Sequence, residues 1–493
     1  MKRKWIAGLL VAVLCIMAIS GCGTKTDKTE EQTDFASLKG NAKEYDMDTI
    51  DIAMDNKLKG KSVVVLGSTA VDGYASEGVG VAEFIETYYE GCKVTKVATS
   101  DDATISTKGK DSYVDCLKEQ DKDAEYDFII CQIPVEDVTQ KVDLGEVSEE
   151  DIKSSDANTN TIYGAMEFII NYADETWGCP VLFFTNSRYD NNGYDKLVEG
   201  LSTLKSKYPY LGVANLWAKD GKYLVFNGIS DEERQLYAYD NVHMTKAGYS
   251  QWWGPKLGRE IDSYLKKYYA EGNAEEYDMN GLTPMENSPL AGKRICALGS
   301  SVTYGESAFQ QAVGEYIAVR FDATLTKEAV SGTTLADLDD TSYVSRMKNN
   351  LSKDDHFDLF IVQLSTNDAT QGIEIGQISN STNLEDFDTK TILGAMEYII
   401  NYVDQTWGCP VAFYTGTQYG SDDYSNMVQQ LLQLKLKYPN LIVLDLYSND
   451  AFNDISDEDR ALYMSDPIHP TRAGYSRWWG PEMERQLMDF YSN

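Results

Sequence analysis

Histidine is scarce in this chain, with three among 493 residues. Cysteine offers little to a metal either: there are eight, with no Cys-x-x-Cys pair and no histidine nearby at ligand spacing. A zinc site is therefore not indicated, and neither a metal nor any other cofactor is expected. Positive charge is also short, because 44 Lys and Arg stand against 78 Asp and Glu, a formal net charge of −34. A surface this acidic repels phosphates and anionic headgroups, so nucleic acid is not an expected partner and a highly anionic polymer would be a poor substrate. Such acidity suits a protein kept soluble outside the cell. The apolar stretch from Trp5 to Ile19 stops short of the roughly 20 residues that span a bilayer. Hydrophobic residues nevertheless make up 42% of the chain, which makes it globular, and its length suits two domains of about 200 residues each.

Lys2, Arg3 and Lys4 ahead of the apolar stretch make the N-terminus an export signal. The stretch ends in Ile19-Ser20-Gly21-Cys22, which resembles the lipobox of bacterial lipoproteins. The resemblance implies that residues 1–21 are removed and that Cys22 carries the lipid. Two acyl chains on one cysteine anchor stably where one is marginal. Residues 22–39 are polar, as a tether would be. The expected location is the outer face of a bacterial membrane. Cys179 and Cys409 each begin an apolar strand and read as buried, reduced thiols.

The chain says nearly the same thing twice. Gly40-Asn-Ala-Lys-Glu-Tyr-Asp-Met47 returns as Gly272-Asn-Ala-Glu-Glu-Tyr-Asp-Met279, and Thr176-Trp-Gly-Cys-Pro-Val181 as Thr406-Trp-Gly-Cys-Pro-Val411. Ala247-Gly-Tyr-Ser-Gln-Trp-Trp-Gly-Pro255 returns as Ala473-Gly-Tyr-Ser-Arg-Trp-Trp-Gly-Pro481. A period of 232 residues, from Gly40 to Gly272, is a duplicated domain, since solenoid repeats run at about 20–50. The expected domains are residues 40–271 and 272–493, and each copy is a control for the other.

Within the second copy, strands and helices alternate. Strands are expected from Arg294 to Leu298, near Leu325, over Phe357–Leu364, Val411–Tyr414 and Leu441–Leu444. Helical spacing covers Ala308–Phe321, Thr389–Val403, Met427–Tyr438 and Thr471–Tyr491. Near-continuous apolar strands alternating with helices argue an α/β fold with a parallel sheet covered on both faces. Functional residues of such a sheet sit just past the C-terminal ends of its strands.

The polar exceptions fall there. Gly299-Ser300-Ser301 follows the first strand, Ser331-Gly332-Thr333-Thr334 the second, and Ser365-Thr366-Asn367-Asp368 the central one. Asp466-Pro467-Ile468-His469 precedes the last helix. His243 and His469 occupy matching Asp-x-x-His segments, whereas His356 lies in a charged turn and reads as solvated. Attack on an ester needs a hydroxyl nucleophile, a base of near-neutral pKa, a carboxylate to orient it and donors for the oxyanion. Ser301, His469, Asp466 and the N–H groups of Ser301, Gly332 and Asn367 offer that set.

These four blocks resemble the SGNH (GDSL-like) hydrolases. The resemblance implies a flavodoxin-like three-layer α/β/α fold in each copy, with no metal. It makes Ser301 the nucleophile, His469 the base and Asp466 its partner, with an oxyanion hole of Ser301, Gly332 and Asn367. Ser300 stands where the family often has Asp, and Ser365 where it often has Gly, which puts substrate detail in doubt more than activity.

The first copy aligns Thr69 with Ser301, Asp101 with Gly332 and Glu136 with Asn367, while Asp240 and His243 persist. An ionised Glu136 at a donor position would repel the oxyanion, so this copy reads as catalytically dead. Its Asp240 and His243 would fix a loop, or with Thr69, Asp101 and Glu136 hold a cation or sugar. Tyr189, Tyr194, Trp217 and Tyr223 could form a glycan-stacking face. The expected function is a surface esterase that removes acetyl or other short acyl groups from polysaccharide. The alternatives are a lipolytic esterase or thioesterase, and a non-catalytic glycan-binding or scaffold lipoprotein. Its expected partners are an acylated carbohydrate or other small ester, and the membrane through the lipid anchor.

Overall fold

A computed structural model describes residues 34–109, 111–187, 192–217 and 229–492. The export signal and Cys22 lie outside these residues, as do Tyr189 and Tyr223. The first sheet is built from β1 (Ser62–Gly67), β2 (Lys93–Ala98), β3 (Phe128–Gln132), β4 (Val181–Phe184) and β5 (Gly212–Ala214). The second holds β6 (Arg294–Gly299), β7 (Thr324–Ala329), β8 (Leu359–Gln363), β9 (Val411–Tyr414) and β10 (Leu441–Leu444). Both are wholly parallel, in the orders β2-β1-β3-β4-β5 and β7-β6-β8-β9-β10. That is the 2-1-3-4-5 order of a flavodoxin-like doubly wound sheet.

The central strand β8 shows why the sequence folds this way. Its side chains alternate between faces. Leu359 and Ile361 pack with Ile317, Tyr475 and Trp479, while Phe360 and Val362 pack with Met347, Met396 and Ile400. With both faces covered, every residue of the strand is buried, which is what a continuous apolar run signals. Helices Val313–Phe321 and Gly480–Ser492 cover one face, and Tyr343–Asn350, Ile392–Trp407 and Asp422–Lys437 the other. The first sheet is covered likewise, with Val63 and Val65 against Trp253 and Leu257, and Val64 and Leu66 against Ile162 and Met166.

Two expected helices differ. The helix expected over Ala308–Phe321 runs only from Val313 to Phe321, because Phe309 and Gln310 adopt φ of +50° and +63°. Left-handed residues cannot propagate a right-handed helix. The closing helix is interrupted by a π-helical turn over Gly474–Trp479 before Gly480–Ser492.

The repeated Gly-Asn segment is a brace. Asn273 Oδ1 accepts the Arg472 N–H at 2.9 Å, while its Nδ2 donates to the Lys267 and Ser307 carbonyls. Asn41 does the same for Lys246, Phe35 and Ala75. Each brace thus ties the loop after the histidine to the loop after the nucleophile position. The two domains also meet directly. Tyr210 of the first packs on Phe309 of the second, with ring centroids 4.6 Å apart, and its hydroxyl accepts from Arg472. Among the described residues no helix is long and apolar enough to cross a membrane.

Candidate active site

Three of the sequence-marked residues converge on one relay. Ser301 opens the short helix after β6, and its Oγ lies 2.8 Å from His469 Nε2. His469 Nδ1 lies 2.7 Å from Asp466 Oδ2, and Asp466 Oδ1 accepts the N–H groups of Ile468 and His469, each at 2.8 Å. Burial pushes the Asp466 carboxyl up, but the His469 ring and these N–H groups outweigh it and hold it at about 2. An ionised Asp466 accepts a hydrogen bond from Nδ1–H, which leaves Nε2 free to accept one from the Ser301 hydroxyl. A Cβ at Gly299 would stand 1.8 Å from Thr303 Oγ1, so the turn before the nucleophile tolerates only glycine.

Gly332 and Asn367 follow β7 and β8, the two strands that flank β6. Gly332 has φ +84°, a left-handed conformation that favours glycine. Asn367 Nδ2 donates to the Thr333 carbonyl at 2.8 Å, which pins the amide against the Gly332 turn. Ser301 N–H is one of the groups a helix start leaves without an intrahelical partner.

The supporting residues were not foreseen. Buried Asp368 accepts the N–H groups of Leu335 and Ala336, and burial pushes its carboxyl up. Gln363 Oε1 accepts the N–H groups of Ser300 and Thr303 at 3.0 and 3.1 Å, shaping the nucleophile turn from the end of β8. Buried Arg346 donates to the Gly299 carbonyl at 2.7 Å and to Thr333 Oγ1 at 3.3 Å. Gln132 matches Gln363 in sequence and bonds Ser68 N–H alike, a signal available from the alignment. Arg346 has no such signal, since Cys116 stands there in the first copy.

A cavity of about 10 Å³ is lined among others by Val302, Thr366, Gly416, Thr417, Tyr424 and Ile468. Val302, Thr366 and Ile468 are chain neighbours of Ser301, Asn367 and His469. The volume is about what a single water needs.

The first domain keeps the frame and loses the relay. Asp240 Oδ2 lies 2.8 Å from His243 Nδ1, and Oδ1 accepts the Val242 and His243 N–H groups, as in the second domain. No described hydrogen bond joins Thr69 to His243; the imidazole instead packs on Tyr74, with ring centroids 4.7 Å apart. The expected pairing of Asp101 with Gly332 slips by one. Ala103 N–H donates to the Ser100 carbonyl where Thr333 N–H donates to that of Val330, which sets Asp102 opposite Gly332 after an extra residue in the loop. Glu136 does match Asn367, and its charge at neutral pH is partial. Burial pushes its carboxyl up to about 7, and its Oε2 is buried without a hydrogen-bond partner. The donor is lost, yet the repulsion is weaker than a full charge would exert.

Asn186 occupies the place of Gly416. Thr185 and Thr415 accept the N–H groups of Leu216 and Leu446, each at 2.9 Å, and the next residues, Asn186 and Gly416, both donate to a tyrosine hydroxyl. Buried Asn186 therefore fills the space that is the cavity in the second domain. That tyrosine in the first domain, Tyr194, is fully buried and cannot stack on a glycan. His356 is exposed, as expected, and lies 3.3 Å from Asp358. Cys179 and Cys409 are buried free thiols.

A doubly wound sheet with these blocks at its strand ends defines the class of the second domain. Residues 297–477 match the model of the GDSL-like Lipase/Acylhydrolase family. The structure is similar to a protein of Bacteroides ovatus described as a GDSL-like lipase, at 17% identity over 41% of this chain and 99% of that one, with a TM-score of 0.30. It is also similar to a family two carbohydrate esterase from Cellvibrio japonicus, at 17% identity over 42% and 64%, TM-score 0.29. A third similar structure is a lipase from a goat rumen metagenome, at 18% identity over 40% and 96%, TM-score 0.29. No curated protein matches the chain.

Proposed function

We propose that this chain is a cell-surface serine esterase that removes acetyl or other short acyl groups from polysaccharide, with the chemistry in its second domain. The observation that carries the reading is the relay from Ser301 through His469 to Asp466, at 2.8 and 2.7 Å. Ser301 Oγ attacks the ester carbonyl while His469 Nε2 takes its proton. The oxyanion faces the N–H groups of Ser301 and Gly332 and the Asn367 amide, which stabilise it most in the transition state. His469 then protonates the departing alcohol. A water, deprotonated by the same imidazole, cleaves the acyl-Ser301 ester and releases the acid.

The acidic charge and the lipobox-like Ile19-Ser20-Gly21-Cys22 support a substrate outside the cell, and Cys22 is the lipid anchor in this reading. The first domain is non-catalytic. A fluorophosphonate probe tests the reading: the adduct should map to Ser301 and vanish in Ser301→Ala, and an adduct elsewhere, or none, would refute it. Labelling with a palmitate analogue tests the anchor, and equal labelling of Cys22→Ser and wild type would refute that part.

A further inference from the structure

One residue of the second domain, Glu306, touches both halves of the proposed site and the first domain at once, through its backbone and its carboxylate. Glu306 N–H donates to the Ser301 carbonyl at 3.0 Å, closing the nucleophile turn. Its Oε2 accepts the Ser331 hydroxyl at 2.7 Å, one residue before Gly332. Its Oε1 lies 3.2 Å from Lys205 Nζ, on the helix Asn192–Lys207 of the first domain. A second contact fixes that lysine, since Gln310 Nε2 donates to the Lys205 carbonyl at 2.9 Å. Burial pushes the Glu306 carboxyl up, but Lys205, the Ser331 hydroxyl and Lys267 outweigh it and hold it below the usual value. The first domain closes the same turn, Tyr74 N–H donating to the Thr69 carbonyl at 3.1 Å, but it has no carboxylate there. Tyr74 stands at the position of Glu306 and covers His243, and the hydroxyl of Ser100, in the corresponding turn, goes to Asp102 at 2.8 Å.

We propose that Glu306 is a positioning residue that clamps the nucleophile turn to the oxyanion turn, and that the first domain sets the clamp through Lys205. Resting on the esterase reading for its effect on rate, the inference gives the non-catalytic copy a function: it is a fixed part of its twin's active site. A carboxylate held by two partners at short range confines the Ser331-Gly332 turn, and a donor displaced by about 1 Å forfeits on the order of 10²-fold in rate. Lys205 and Glu306 touch no substrate, so their loss should appear in kcat and spare KM.

The test uses the full chain. Lys205→Met should lower kcat about tenfold with KM within about twofold, and Lys205→Arg should restore it, because the contact needs the charge. Glu306→Gln, nearly isosteric, should lower kcat by at least as much, and adding Lys205→Met to it should cost little more, since the two share one contact. Amide hydrogen exchange over residues 330–335 supplies a readout independent of activity: both variants should exchange faster there than wild type. If wild type proves inert toward esters and fluorophosphonate, the esterase reading fails and the exchange comparison alone judges the clamp. Unchanged exchange at residues 330–335 in both variants, or additive losses of kcat, would overturn it.

Discussion

The Asp368 carboxylate accepts the Leu335 N–H at 2.7 Å, across a sequence separation of 33 residues. With the Ala336 N–H on its other oxygen at 2.9 Å, Asp368 fastens the loop after β7 to the loop after β8. Gly332 and Asn367, the two proposed hole donors outside the Ser301 turn, ride on these loops. Asp137 holds Ile105 and Ser106 in the same way in the first domain, so this brace belongs to the fold and not to the chemistry.

Asp368→Ala should therefore damage stability and rate together. Each buried N–H left without an acceptor costs about 1–3 kcal/mol. At roughly 2–4 °C per kcal/mol for a domain of this size, the melting temperature should fall by several degrees. Calorimetry of the variant beside wild type measures this, and an unchanged midpoint would deny Asp368 the role.

The contrast between Asp368 and Asn367 shows what the sequence discloses. Strands β8, β9 and β10 were legible because burial on both faces demands unbroken apolar runs. Ser301, Gly332, Asn367, Asp466 and His469 were legible because polar residues break those runs at strand ends. The left-handed turn at Phe309 and Gln310 was not, since neither is glycine and helical spacing runs through it. Gln363, Asp368 and Arg346 act on backbone groups 32 to 63 residues away, which no local pattern encodes. Asn186 needed the Thr185–Leu216 bond to fix its register against Gly416.

Asn367→Ala should lower kcat by about 10²–10³ with a smaller effect on KM, because an oxyanion donor works mainly in the transition state. Steady-state kinetics on an activated acetyl ester would measure it. A loss confined to KM would place Asn367 in ground-state binding instead.

Glu136 and Asp466 should answer pH in opposite senses. Glu136 rises to about 7 on folding and Asp137 to about 6, both through burial. A carboxyl whose folded pKa is raised contributes stability below its unfolded pKa and loses it as pH climbs through the folded value. The first domain should thus weaken between about pH 5 and pH 7, and Glu136→Gln should remove part of that slope. Asp466, held at about 2 chiefly by the His469 ring against its burial, has the reverse sign: its contribution is present above about pH 4 and lost as pH falls through about 2. Melting curves at several pH values test both, and a first-domain midpoint that rises from pH 5 to 7 would contradict the burial of Glu136.

Gly416 tests the cavity. A Cβ there meets its nearest atoms at 3.5 Å, an ordinary contact, so Gly416→Ala should fold normally. Gly416→Asn imports the side chain that plugs the first domain and should cut kcat/KM on an acetyl ester by about 10²-fold, the scale of a misplaced reacting group. Melting temperature within a degree or two of wild type would confirm that the loss is local. Full activity in the folded Asn variant would mean that the acyl group binds elsewhere.

The first domain itself supplies the last test, in full-length protein whose own active site is silenced by Ser301→Ala. That background should show no esterase activity, because Thr69 makes no described bond to His243, Glu136 supplies no amide and Asn186 fills the cavity. Adding Thr69→Ser, Glu136→Asn and Asn186→Gly restores a hydroxyl, a donor and the space, while Asp240 and His243 already stand in the proper geometry. Only a trace should return. Tyr74 still packs on the imidazole, and the extra residue near Asp102 leaves no left-handed glycine to face the oxyanion. Nucleophile, base and hole act as a unit, so repairing part of the set recovers little. Turnover near the wild-type rate in the Ser301→Ala protein before any repair would make the first domain an enzyme in its own right, and would end the division of labour argued from Glu136 and Asn186.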